Sequence, residues 1–482
     1  MLQRRPAQEL SFGPRALKDA LLSRDVALQR LYATTFSPAE RLFLAEAYSP
    51  RRMLFGTPLV CSAFDWPLSR PEAPEDFETF HAALGQRRPG LARRHIYLQP
   101  IGLSEGPARC PLLDDLRRCA EAFFPGLQVR CLPPVAAASI RCASRPGQDL
   151  AGPQLHTDGI LEFLKNSKPE DALCVLGLTL DDLYPHETWR FTFSKFLPGH
   201  EVGVCSFARF SREHLWVGPE PVLAEVAAAG QGEGPALGFS ALGLVQCCKV
   251  ACHELCHLLG LGNCRWLRCL MQGALSLDQA LRRPLDLCPI CLRKLQHILG
   301  FRLLDRYKRL HAWTWAVAES WPGQEASVAF STDSGVCCES DSELASSPLA
   351  PPPPDVLSHL CPEGPEPNLE DRPSCLAVDA VPQPGGPEEA VEQHGRWLAA
   401  CIEALEQEVA EEELAKVDQA VDALERWDLF TGQLPAARQG LPSGRDSSGL
   451  RKVLGNKFSS MRWRLSTRRL SKAEPPHQVG ET

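Results

Sequence analysis

The sequence contains no run of about 18 apolar residues, the length a helix needs to cross a bilayer, so no transmembrane segment is expected. The first ten residues, MLQRRPAQEL, lack the apolar core of a secretory signal, and the expected location is the cytoplasm, with the nucleus as the alternative. Charge of one sign is also scarce. Lysine and arginine total 51 against 59 acids, and the net charge of −8 over 482 residues argues against nucleic acid as the main partner. Cysteine, in contrast, is plentiful, with 20 residues. In a reducing compartment these read as thiols and metal ligands rather than as a disulfide framework. A hydrophobic share of 44% is adequate for a large core, and the length allows two domains with tails.

The cysteines concentrate where other zinc-ligand residues do, between Ala251 and Cys291. His253-Glu254-Leu255-Cys256-His257 is an H-E-x-x-H motif, followed by Gly260. Residues four apart on a helix share a face, so His253 and His257 can point both imidazoles at one metal with Glu254 beside them. The apolar run from Ser240, a fair N-cap, to Cys252 reads as the start of a buried helix. Gly260 and Gly262 suit a sharp turn out of that helix. Two buried core histidines would be the plainer reading of the motif alone. The glycine, four nearby cysteines and Met271 favour metal. Cys264 and Cys269 form one close pair, Cys288 and Cys291 another, and four thiolates in tetrahedral array make a closed structural zinc site.

The pattern H-E-x-x-H-x-x-G, then C-x4-C-x-M, then C-x-x-C resembles that of the archaemetzincins. It is filled by His253, Glu254, His257, Gly260, Cys264, Cys269, Met271, Cys288 and Cys291. The resemblance covers roughly residues 91–310. It implies an α+β, metzincin-like protease domain: a twisted mixed sheet with packed helices, a zinc helix and a Met-turn. It also implies two zinc ions, one catalytic at His253 and His257, one structural at Cys264, Cys269, Cys288 and Cys291. Glu254 would be the general base of a metallopeptidase acting on peptide or protein substrates. One position departs from the pattern. Where the family usually carries a third histidine, immediately before the first cysteine, this chain has Asn263. The third ligand is therefore open among Asn263, Cys256, His156 and an extra water. The departure also supports a rival reading, a non-catalytic zinc-stabilised module that binds peptides or proteins.

Around this centre five regions are expected. Residues 1–90 read as a mostly helical extension and 91–318 as the peptidase domain. Within it, strands are expected at 95–102, 127–132, 172–179, 190–194 and 202–209, with helices at 112–124 and from 158. By the resemblance, Val202–Arg209 would be the sheet edge that pairs with substrate. Asp181 and Asp182 read as a turn after a strand, and His297 as a core or surface histidine. Residues 319–387 are rich in proline, serine and acids and read as a disordered linker. Residues 388–430 read as an acidic amphipathic helix or hairpin, whose stripe through Leu398, Ile402, Leu405, Leu414, Val417 and Val421 needs a partner surface. That surface could be the peptidase domain, a second copy or another protein. Residues 431–482 read as a basic, disordered tail. All proposed ligands precede residue 319, so removing the C-terminal third should leave both metal sites intact.

Overall fold

The computed structural model describes residues 8–9, 12–70, 72–87, 93–103, 111–147, 149–150, 152–210, 241–320 and 387–431. The expected linker and basic tail, and the Ser240 cap, lie outside the described residues, apart from the first one or two residues of the linker and of the tail and Pro387.

The core is a five-stranded sheet. Its strands are β1 (His95–Ile101), β2 (Gln128–Cys131), β3 (Ala172–Thr179), β4 (Ser194–Leu197) and β5 (Val202–Ser206), in the order β2-β1-β3-β5-β4. The first four of these neighbours run parallel, and β4 pairs antiparallel with β5. Every residue of β3 is buried, as a strand covered on both faces requires. The helices Pro111–Phe123 and Thr157–Ser167 fall where the apolar spacing puts them. Helix and sheet therefore alternate in a mixed α+β architecture.

Two strand expectations need correcting. Val202–Ser206 is not the edge: it is buried throughout and pairs on both sides, parallel to β3 and antiparallel to β4. The edge is β4, whose four residues are all half-buried. The strand expected at 190–194 starts only at Ser194, and Thr192 makes no more than an isolated bridge to Leu183. Asp182 belongs to a small three-stranded sheet, where Arg209 pairs with it at 2.7 Å.

The central helix, Ala241–Leu258, lies against β5, β4 and β3, with almost every residue buried. A helix apolar on all sides must be enclosed; the sheet and the helices Pro111–Phe123 and Pro387–Glu406 pack against this one. The sheet covers one face. The helices Pro289–Leu299 and Leu303–Ser320 follow, separated by Gly300 in the left-handed conformation at φ 72°. The N-terminal helices Pro14–Leu22, Val26–Thr35 and Pro38–Ala45 pack outside them. Arg293 fixes this contact: its guanidinium stacks on Phe77 at 3.6 Å and donates to the carbonyls of Leu21 and Leu28.

The 388–430 segment is a hairpin of two helices, Pro387–Glu406 and Glu411–Thr431. Its stripe is covered by the chain itself. Val391, Leu398, Cys401, Leu405 and Val421 are buried, and Trp397 donates to the Leu54 carbonyl at 2.8 Å. The first helix packs on Leu303–Ser320 and on the central helix. Acids of the hairpin meet bases of the core at Lys18–Asp418, Arg41–Glu411 and Lys308–Glu406. The C-terminal third is thus not wholly separable from the domain that holds the ligands.

Candidate metal centres

The central helix places His253 and His257 one turn apart, with their Nε2 atoms 3.1 Å from each other. The opposite ring nitrogens are anchored: His253 Nδ1 donates to the Leu270 carbonyl and His257 Nδ1 to the Leu261 carbonyl, both at 2.8 Å. Those bonds leave both Nε2 lone pairs facing each other. Such a pair repels unless a cation lies between. Two imidazoles on one tetrahedral zinc have their nitrogens about 3.3 Å apart, given Zn–N bonds near 2.0–2.1 Å, so the pair fits a zinc ion. Burial holds the His257 ring down to about 4 and pushes His253 in the same direction, which keeps both rings neutral and ligand-competent.

The turn that leaves the helix needs glycine. Gly260 sits at φ 100°, where an L side chain is strained, and Leu261 then donates back to the Cys256 carbonyl at 3.0 Å. This reversal swings Asn263 within hydrogen-bond reach of the His257 ring. The other two protein candidates for a third ligand are engaged elsewhere. Cys256 faces Cys252, Arg306 and Asp286. His156 caps the helix Thr157–Ser167 and stands edge-on to Tyr184.

Glu254 lies under β5, where a Cβ on Gly203 would come within 3.2 Å of its Cγ. Its Oε1 is buried without a partner among the described residues. Burial pushes this carboxyl up to about 7, against the opposing pull of the Ser194 hydroxyl and Arg283.

The second centre brings together all four expected cysteines. The sulfurs of Cys264, Cys269, Cys288 and Cys291 lie within 4.8 Å of one another, all buried. Cys264 and Cys288 are 3.6 Å apart at Sγ; a zinc ion with Zn–S bonds near 2.3 Å spaces its thiolates about 3.8 Å. The Cys269 sulfur also accepts the backbone N–H groups of Met271 at 3.4 Å and Cys288 at 3.3 Å, bonds that favour a thiolate. The donor set and its spacing therefore fit a structural zinc. No disulfide joins the described cysteines.

The two centres share a backbone. Leu270, whose carbonyl holds His253, lies between Cys269 and Met271, and the Met271 carbonyl accepts from the Cys264 N–H at 2.8 Å. Three nearby residues were not foreseen. Phe196 on β4 stacks on His257 with ring centroids 5.0 Å apart. Glu75, from the N-terminal region, meets Gly262 N and ion-pairs with the buried Lys294 at 2.7 Å. Arg283 donates to the Gln272 carbonyl and lies 3.1 Å from His253 Nδ1. None of the three belongs to a local pattern; Phe196 and Glu75 arrive from distant segments, and Arg283 comes from the stretch between the two cysteine pairs. His297, as expected, belongs to neither centre and packs against Phe77 and His81.

A helix presenting two zinc-spaced imidazoles and a carboxylate, beside a four-thiolate cluster, defines the class of the zinc metallopeptidases. No family model matches the sequence. The chain is 67% identical to archaemetzincin-1 of Homo sapiens over 491 residues, covering 98% of each chain. It is 37% identical to archaemetzincin-2 of Homo sapiens over 325 residues, covering 66% of this chain and 90% of that one. A crystal structure of archaemetzincin from Methanopyrus kandleri aligns with 44% of this chain and 98% of its own, at 23% identity and a TM-score of 0.31. The chain belongs to the archaemetzincin family.

Proposed function

We propose that the protein hydrolyses peptide bonds, with His253 and His257 as zinc ligands and Glu254 as general base. The observation that carries this reading is the pair of facing Nε2 atoms, each imidazole anchored through Nδ1, beside the orphaned Oε1 of Glu254. Bound zinc supplies Lewis acidity, polarising the scissile carbonyl and acidifying water. Glu254 takes the proton from the attacking water and passes it to the leaving amine. The Leu270 and Leu261 carbonyls hold the imidazole tautomers that leave Nε2 free. The outer edge of β4, unpaired among the described residues, supplies backbone groups for an extended peptide, ending beside Glu254 at Ser194 and His257 at Phe196. Cys264, Cys269, Cys288 and Cys291 hold a second, structural zinc. The buried, unbridged thiols suit a reducing compartment, the cytoplasm or nucleus.

Asn263 favours a second reading, a non-catalytic binding module, because an amide stands next to His257 where the family usually has a third imidazole. Glu254→Gln decides between the two. The variant keeps both imidazoles, so its zinc content should equal that of the parent, while turnover of a peptide library should fall by about 10²–10⁴-fold. A parent that binds peptides without cleaving them supports the second reading. A variant with undiminished turnover removes Glu254 from the mechanism.

A further inference from the structure

Behind His253, on the side away from Nε2, the segment between the cysteine pairs closes on the N-terminal helix Trp66–Ser69. A cavity of about 30 Å³ lies there, lined by Asp65, Arg268, Gln272, Gln279, Arg282 and Arg283, among others. It has room for one or two waters, or one small group. Its charges are unbalanced. Arg282 pairs with Asp65 at 3.4 Å and with the exposed Asp278 at 2.9 Å. The Asp65 carboxylate is further occupied by the N–H groups of Cys61 and Ser62. Among the described residues, no carboxylate forms an ion pair with Arg268, Arg283 or the neighbouring Lys249.

Arg283 is 5% exposed, and its Nε is buried with no hydrogen-bond partner. Lys249 is similarly enclosed, and its Nζ donates to the Leu281 carbonyl at 3.2 Å. Burial, and then the like charges of Arg268 and Arg283, hold that ammonium down to about 7. Arg268 is exposed, and Glu254 offsets Arg283 only from beyond ion-pair distance, so Arg283 remains a buried cation without a close counter-ion, which is costly. Guanidinium forks match the geometry of carboxylate and phosphate oxygens.

We propose that this cavity is an oxyanion site, taking one phosphate or carboxylate group between Arg268, Arg282 and Arg283. The anion supplies a close counter-charge for Arg268 and Arg283, which no carboxylate pairs among the described residues. The inference does not depend on peptide hydrolysis, and it can be tested on a protein that proves inert.

The test titrates inorganic phosphate and, separately, acetate into the zinc-loaded full chain by calorimetry, at ionic strength held constant with chloride. One of the two should bind saturably at one site per chain and raise the Tm by about 2–4 °C. Tighter phosphate identifies a phosphate site; acetate binding as tightly identifies a carboxylate site. Arg268→Gln removes an exposed cavity wall and should fold with the parent's zinc content. It should weaken binding by about tenfold, the loss of one charge-assisted hydrogen bond. Arg282→Gln should act in the same direction. The inference is overturned if neither anion saturates, or if both variants bind as tightly as the parent.

Discussion

The four-cysteine centre and the His253–His257 centre share the turn from Cys264 to Met271, but they are built differently. The first is complete: four sulfurs within 4.8 Å, all buried, with backbone N–H groups on Cys269. The second is open: two anchored imidazoles, a carboxylate with one free oxygen, and an amide beside His257. Closed zinc sites contribute folding energy, whereas catalytic ones keep a coordination position for water or substrate. On the proposed function, this difference gives the cysteines a stabilising role and the histidines the chemistry. It also predicts that the two ions are held with unequal strength.

The largest effect that could break this comparison is loss of the closed site. Cys288→Ser removes one of four thiolates, and structural zinc binding is itself folding free energy. We expect a variant that is largely insoluble, or whose Tm falls by tens of degrees, with less than one zinc retained. A soluble variant with the parent's Tm and zinc count, measured by calorimetry and atomic absorption, would make the cysteines dispensable.

A second, smaller effect tests what supports the open site from behind. Truncation after residue 386 removes the hairpin that buries Leu398, Cys401 and Val421 against the core. Each fully buried aliphatic side chain is worth about 1.5–3 kcal/mol, so a drop of several degrees in Tm is expected. This departs from the expectation from sequence that removing the C-terminal third leaves both metal sites intact. Because the hairpin touches the central helix and the thiol cluster lies elsewhere, the histidine-bound zinc should be lost more readily. Equal Tm and metal content would return the hairpin to a passive role.

Acid should give a milder version of the same change. Burial holds His394, on the first hairpin helix, down to about 4, with Lys249 and Arg306 acting in the same direction and Asp286 opposing. The unfolded hairpin therefore takes up a proton first, near pH 6.5, and stability falls as pH drops from 6.5 towards 4. The expected loss is about 1–3 kcal/mol. His394→Gln should flatten that part of the stability–pH curve, read by denaturant unfolding. An unchanged slope would place the titration elsewhere.

Much of the candidate site was legible because its determinants are local. An i, i+4 histidine pair on an apolar helix and two close cysteine pairs need no knowledge of tertiary structure, and the structure brings each set together. What could not be read is order in space. Val202–Ser206 precedes the central helix in sequence, and only pairing shows that Ser194–Leu197 lies outside it. Its apolar run without polar alternation, Val202 to Cys205, was a usable signal, since strands buried on both faces read that way. The hairpin's stripe announced a partner but not which one. Glu75 and Phe196 reach the centres from remote segments, Arg283 from between the cysteine pairs, and no spacing rule anticipates them. Asn263 was legible as a departure, and the structure adds that it stands beside His257.

The central claim, two zinc ions of unequal hold, is tested most directly by titrating a chelator against the parent and Asn263→His while counting bound metal. The parent should surrender one zinc first, with its far-ultraviolet circular dichroism unchanged, and the second only at higher chelator as the fold collapses. Asn263→His places an imidazole beside His257 and should require at least about tenfold more chelator, equivalent to about 1.4 kcal/mol, to lose the first ion. Simultaneous loss of both ions, or identical curves for parent and variant, would contradict the account.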